Sequence, residues 1–135
     1  MISIVDVLGS LSDDKAFILF NTIALGEGHN LQALVKYLGI TPHQYYSRLL
    51  RITKAGLVKK ENGRYVTTAL GSVVYDAISS IGKALEHYWA IKAIESFRSM
   101  ATNDSKEYLS KLIDTLIDDN KIKKLLIEPP IIFAS

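Results

Sequence analysis

The 135 residues contain no cysteine, which excludes a disulfide framework, thiolate metal sites of the zinc-finger kind and thiol-based sensing. Proline is held to three residues, Pro42, Pro129 and Pro130, each at a boundary described below. No apolar run approaches the roughly 18 residues of a membrane span. The apolar start, Met1 to Leu8, carries no basic leader and no clear small-residue cleavage site, so neither export nor membrane insertion is expected. A glycine-rich phosphate loop, a nucleophile elbow, an HExxH pair and a convergent carboxylate pair are all missing, and catalysis is not expected. His29, His43 and His87 are scattered without ligand spacing, so no metal and no cofactor are expected. An apolar content of 48% suits one compact domain plus an extension with a real core, and there is no internal repeat or low-complexity segment. These exclusions point to an intracellular, cytoplasmic protein.

What the chain does have is segregated charge. Between Lys36 and Arg64 stand seven basic residues, Lys36, Arg48, Arg51, Lys54, Lys59, Lys60 and Arg64, against one acid, Glu61. Nine basic and thirteen acidic residues remain elsewhere, so the formal net charge of +2 conceals a basic third joined to an acidic remainder. A local positive potential of this kind attracts a polyanion, and the segment bearing it reads as helix, turn, helix and tight hairpin. Double-stranded DNA is the expected partner, and a nucleoid-associated location follows from it.

Local patterns place the elements. Ile2, Ile4, Val5 and Leu8 are expected to form a short packing segment. Ser12, followed by Asp13 and Asp14, signals a helix start, and a helix to about Leu25 is expected to turn Phe17, Phe20, Ile23 and Ala24 inward. Asn30 is a candidate cap for a helix from Leu31 to Leu38, closed by Gly39. Thr41-Pro42-His43-Gln44 combines an N-cap threonine, proline at the first helical position and glutamine at N3, a capping box that opens a helix to Ala55 and Gly56. Two strands, Leu57 to Glu61 and Arg64 to Thr68, flank Asn62-Gly63, the dipeptide of a type I′ turn.

Thr68 is expected to cap a long helix from Ala69 to about Arg98, with Leu70, Val74, Ala77, Ile81, Ala84, Tyr88 and Ile91 at alternating steps of four and three. After a polar break at Ala101 to Ser105, a further helix uses Tyr108, Leu109, Leu112, Ile113 and Leu116. Asp118, Asp119 and Asn120 interrupt it. A last turn or two from Lys121 to Ile127 stops before Pro129-Pro130, leaving Ile131 to Phe133 extended.

On a helical wheel the segment Pro42 to Ala55 gathers Tyr45, Leu49 and Ile52 on a packing side. Gln44, Ser47, Arg48 and Arg51 lie on another side, with His43 and Lys54 at its border. The outward set suits a major groove, since arginine bonds guanine bidentately, glutamine bonds adenine, and serine reaches a base or a phosphate. Lys59, Lys60 and Arg64 add cations on the hairpin, placed for phosphates or the minor groove. An ordinary solvated face for the helix cations and edge protection for the hairpin cations are the alternatives. Tyr46, on the shoulder with Leu50, and Thr41 are secondary candidates.

The phrases Leu38-Gly39-Ile40-Thr41-Pro42, Tyr45-Tyr46-Ser47-Arg48-Leu49, Lys54-Ala55-Gly56-Leu57-Val58 and Tyr65-Val66-Thr67-Thr68-Ala69-Leu70-Gly71 resemble the winged helix-turn-helix regulators common in archaea, broadly of the ArsR and MarR-like groups. The resemblance implies a mainly α fold with a small β-hairpin wing. It places Gln44, Ser47, Arg48 and Arg51 where such families contact the groove and Lys59, Lys60 and Arg64 on the wing, with flanking helices forming a homodimer. It implies nothing about the operator, the sign of regulation or an effector.

Residues 1–71 are then a DNA-binding domain and residues 72–135 a helical dimerisation extension packed on it. A helix of about thirty residues is roughly 45 Å long, more than one small winged domain covers. Ile81, Leu85, Tyr88, Trp89, Ile91, Leu112 and Leu116 are the expected dimer contacts, and a two-fold dimer would address half-sites about 34 Å apart. Intrachain burial, with Tyr108 to Leu116 folding back, is the alternative. Tyr88, Trp89, Phe97 and Tyr108 are either an effector pocket or plain core. The rival function is a winged domain used for protein contact in a transcription or chromosome-maintenance complex.

Overall fold

The computed structural model describes residues 1–26, 31–100 and 106–128, and among these it is mainly helical with one small antiparallel hairpin. The chain divides into a first unit, Met1–Asp76, and a second from Ala77 onward.

In the first unit, α1 (Ile4–Ser10) starts at Ser3, whose hydroxyl accepts the Asp6 N–H at 3.1 Å while the Asp6 carboxylate accepts the Ser3 N–H at 2.9 Å. The segment packs only in part: the capping box makes it a helix, Ser10 is buried and Ile2 reaches Gly56, while Ile4, Val5 and Leu8 are 74%, 72% and 60% exposed. α2 (Asp14–Ala24) is capped by Asp13 and not by Ser12, whose hydroxyl donates back to the Gly9 carbonyl at 2.8 Å. Its buried stripe is Ala16, Leu19, Phe20 and Ile23, at i, i+3, i+4 and i+7. Phe17, one position off that stripe, faces solvent, and Ala24 is only half-buried.

α3 (Leu31–Leu38) ends at Gly39 with φ +65°, and its expected cap, Asn30, lies outside the described residues. α4 (Pro42–Lys54) opens on the expected box, with the Thr41 hydroxyl accepting the Gln44 N–H at 3.1 Å and Gln44 Oε1 accepting the Thr41 N–H at 3.0 Å. Tyr45, Leu49 and Ile52 are buried, as the wheel expects.

β1 (Val58–Glu61) and β2 (Arg64–Thr67) pair from Val58 opposite Thr67 to Glu61 opposite Arg64. Asn62 and Gly63 between them have φ values of 53° and 79°, the left-handed pair that a type I′ turn needs. Thr68 then closes the hairpin. Its N–H donates to the Leu57 carbonyl at 3.0 Å, its hydroxyl donates to the Gly56 carbonyl, and the same hydroxyl accepts the Gly71 N–H at 2.9 Å. One side chain thus ties the exit of α4 to the start of α5 (Ala69–Glu86). The approach is so close that a Cβ on Gly71 would stand 2.0 Å from the Leu57 carbonyl oxygen, so only glycine fits.

The expected thirty-residue helix does not form. α5 ends at Glu86 and α6 (Tyr88–Met100) begins after His87. The His87 N–H is shared between the Lys83 and Ala84 carbonyls, both at 3.2 Å, and its ring holds the break: Nδ1 lies 2.9 Å from the Lys83 carbonyl and Nε2 2.9 Å from Asp118 Oδ1. Both partners are acceptors only, so the doubly protonated ring alone satisfies both.

α7 (Lys106–Leu116) and α8 (Asn120–Ile127) complete the second unit. Its core is an isoleucine cluster, Ile94, Ile113, Ile117 and Ile122, with Ile91 and Leu109 packed against it. Asp119 caps α8 by accepting the Ile122 N–H at 2.9 Å and pairs with Lys83 Nζ at 3.3 Å. The C-terminal helices therefore do fold back within the chain. Among the described residues, no helix is long and apolar enough to cross a membrane.

Two outcomes follow from these contacts. Gly71→Ala forces the α5 start off the Leu57 carbonyl and is expected to cost about 3 kcal/mol, read as a lower urea midpoint at unchanged slope. The Lys83 carbonyl, opposed by partial desolvation and aided by Asp118 and Glu86, raises the His87 pKa above its ordinary value. Stability from this group is therefore complete below the unfolded value of about 6.5 and is lost as pH rises through the higher folded value. The thermal midpoint is expected to fall as pH rises above about 6.5 in the wild type, and His87→Gln is expected to flatten that dependence.

Candidate nucleic-acid interface

α4 is anchored by its buried side and leaves His43, Gln44, Ser47, Arg51 and Lys54 exposed, with Arg48 half-buried. Tyr46 is 64% exposed beside Leu50, its ring meeting that of Tyr45 edge-on at 5.0 Å. Burial, with Tyr65 and Tyr46 close by, pushes the Tyr45 phenol up to about 12, so it stays neutral and structural.

Two of the candidate groove residues are already engaged. Gln44 Oε1 accepts the Thr41 N–H, one of the two bonds an amide oxygen can accept, and its NH2 stays open to an outside partner. Thr41 is committed to the same box.

The two arginines are engaged as well. Sequence analysis places Arg48 and Arg51 as outward groove residues. In the structure both meet Asp13: Arg48 Nε donates to Oδ1 at 3.1 Å and Arg51 Nη2 to Oδ2 at 3.3 Å. Arg48 Nη1 also donates to the Gln44 carbonyl at 3.2 Å, and its side chain keeps 21% of its surface, against 49% for Arg51. Asp13 Oδ1 additionally accepts the Ala16 N–H at 2.9 Å, so one carboxylate caps α2 and clasps two guanidinium groups of α4. Partial burial pushes its carboxyl up, but the Ala16 amide and the two arginines outweigh this and hold it below the usual carboxylate range. Ser12-Asp13-Asp14 was legible only as a helix start. Nothing local signals a partner 35 residues away.

The hairpin cations divide by the pleat. Lys59 and Glu61 share a face and pair at 3.4 Å, both more than half exposed. Lys60, on the other face, stands 5.9 Å from the centroid of Tyr65, its cross-strand neighbour. Arg64 is exposed opposite Glu61. Among the described residues, Lys36, Lys54, Lys60 and Arg64 enter no ion pair. The basic segment therefore presents four unpaired cations, one weakly paired lysine and two clasped arginines.

In the second unit the expected dimer contacts divide. Ile81, Leu85, Tyr88 and Trp89 are 58%, 66%, 47% and 80% exposed, while Ile91 packs half-buried against the isoleucine cluster, Leu112 is half-buried and Leu116 is 39% exposed. The four aromatics fall into two pairs, Tyr88 with Trp89 and Phe97 with Tyr108, at ring separations of 5.1 and 5.6 Å. Among the described residues, no three His, Asp or Glu side chains converge on a metal position.

Comparisons with family models, with curated proteins and with solved structures give no match for this chain.

The depressed Asp13 pKa sets the acid behaviour of the clasp. Its stabilisation is present above the unfolded value of about 3.9 and is lost as pH falls through the lower folded value. The acid limb of the wild-type unfolding curve is expected to be steeper than that of Asp13→Asn, measured by circular dichroism from about pH 5 to pH 2.

Proposed function

We propose that the chain is a sequence-specific double-stranded DNA-binding transcriptional regulator built as a winged helix-turn-helix. In this reading α3 and α4 are the helix-turn-helix, α4 is the recognition helix in the major groove, and the β1–β2 hairpin is the wing on backbone or minor groove. The observation that carries it is that four cations within one stretch of sequence, Lys36 on α3, Lys54 on α4 and Lys60 and Arg64 on the hairpin, are exposed and enter no ion pair among the described residues, while α4 buries Tyr45, Leu49 and Ile52. Those positions are suited to phosphates, which position a protein without reading sequence; His43 and Ser47, exposed on α4, are suited to base edges.

Homodimerisation belongs to the same proposal. Ile81, Leu85, Tyr88 and Trp89 are large apolar side chains left open in the second unit, and a second copy of the chain covers them. Sedimentation at micromolar concentration is expected to show a dimer that Trp89→Glu converts to monomer.

A second reading, protein contact through the first unit, is favoured by one observation, the exposed apolar row Ile4, Val5 and Leu8 on α1. The two separate on salt. Duplex affinity is expected to fall with salt at a log–log slope of about −3 to −4 per bound protomer, one contact per unpaired cation at about −0.9 each, and so about −7 when both protomers of the dimer engage. Lys60→Gln and Arg64→Gln should each reduce the slope by about 1 per protomer and weaken all duplexes alike. Affinity indifferent to salt contradicts DNA binding and leaves the protein-contact reading.

A further inference from the structure

We infer that Asp13 is an internal phosphate surrogate: it latches Arg48 and Arg51 onto α2, withholding them from non-specific duplex and releasing them only where DNA supplies better acceptors. This rests on the duplex-binding proposal and deepens it. Three features of the geometry support the latch. First, the carboxylate presents its two oxygens to two different guanidinium groups three residues apart on α4, at 3.1 and 3.3 Å, much as a phosphate bridges neighbouring arginines. Second, Asp13 is held independently of them by the Ala16 N–H, so it stays fixed and hydrogen-bonded when the arginines depart. Third, the clasp is open to solvent at Arg51, 49% exposed, and at Asp13, 36% exposed, so an outside acceptor can exchange for the carboxylate without unfolding α2 or α4.

The chemistry is a competition between like groups. A guanidinium carries five N–H donors, and the clasp uses one of them on Arg51 and two on Arg48, including the bond to the Gln44 carbonyl. The carboxylate cancels one of the two positive charges where they face outward. On arbitrary sequence a phosphate offers little beyond what Asp13 already gives. A correctly placed guanine adds the bidentate pair N7 and O6 to the neighbouring phosphates, and together these outweigh the single carboxylate. Specificity arises because the general polyanion attraction of these two residues is suppressed and their groove chemistry is not.

The test is Asp13→Asn against Asp14→Asn. Asparagine caps a helix as well as aspartate does, so α2 is preserved, and Asp14, exposed in the first turn of α2, supplies the same charge change beside the clasp. Binding of a random-sequence duplex is measured across salt by fluorescence anisotropy for wild type, both variants and Asp13→Asn combined with Arg48→Gln and Arg51→Gln. Asp13→Asn is expected to raise affinity about tenfold over Asp14→Asn at about 100 mM salt and to steepen the slope by about 1 to 2; the triple variant should lose that gain. If wild type binds with a salt slope and the two Asn variants are alike, the latch is overturned and the duplex proposal stands. If no form binds duplex in a salt-dependent way, both are overturned together.

Discussion

One carboxylate links the beginning of α2 to the outward side of α4. Asp13 caps α2 by accepting the Ala16 amide at Oδ1, and it fixes Arg48 at that same oxygen and Arg51 at Oδ2. The magnitudes separate what it does from what it does not do. Partly exposed ion pairs contribute about 0.2 to 1 kcal/mol each, whereas a fully buried Leu, Ile or Phe contributes about 1.5 to 3. Leu19, Phe20 and Ile52 are fully buried, so packing holds the first unit together. The clasp adds direction: it decides where two cations point once packing has placed the helix carrying them.

The second unit is organised differently. Four buried isoleucines from α6, α7, α8 and the segment between the last two form its core, and the polar contacts at its edge run through the α5–α6 break. His87 there bridges a backbone carbonyl and Asp118, while Lys83 one turn earlier pairs with the Asp119 cap of α8. A broken helix shortens the continuous apolar stripe that a thirty-residue rod would present. Ile81, Leu85, Tyr88 and Trp89 are among the open apolar side chains of this unit, and they are the ones that the proposed dimer covers.

Much of this architecture was legible because it is encoded locally. Thr41-Pro42-His43-Gln44, Asn62-Gly63 and the buried side of α4 each depend on residues within one turn or one hairpin, and each takes the expected form. The misreadings share a physical cause. The α1 capping box was hidden by its apolar residues, which suggested burial when Ser3 and Asp6 had fixed a helix. The break at His87 was masked by a heptad-like spacing that runs through it, because the ring's partner, Asp118, is 31 residues away. The Asp13 clasp spans a longer interval still. Charge segregation shows where cations are concentrated, but which of them are free is a tertiary fact.

The proposed function places recognition on α4 and the hairpin, in the first unit, with the second unit serving association. The most direct measurement is amide chemical-shift mapping of the isotope-labelled full chain during titration with duplex. Perturbations are predicted to concentrate between Lys36 and Thr67, at the end of α3, α4 and the hairpin. Shifts confined to α6, α7 and α8, or none at saturating duplex, would contradict the account.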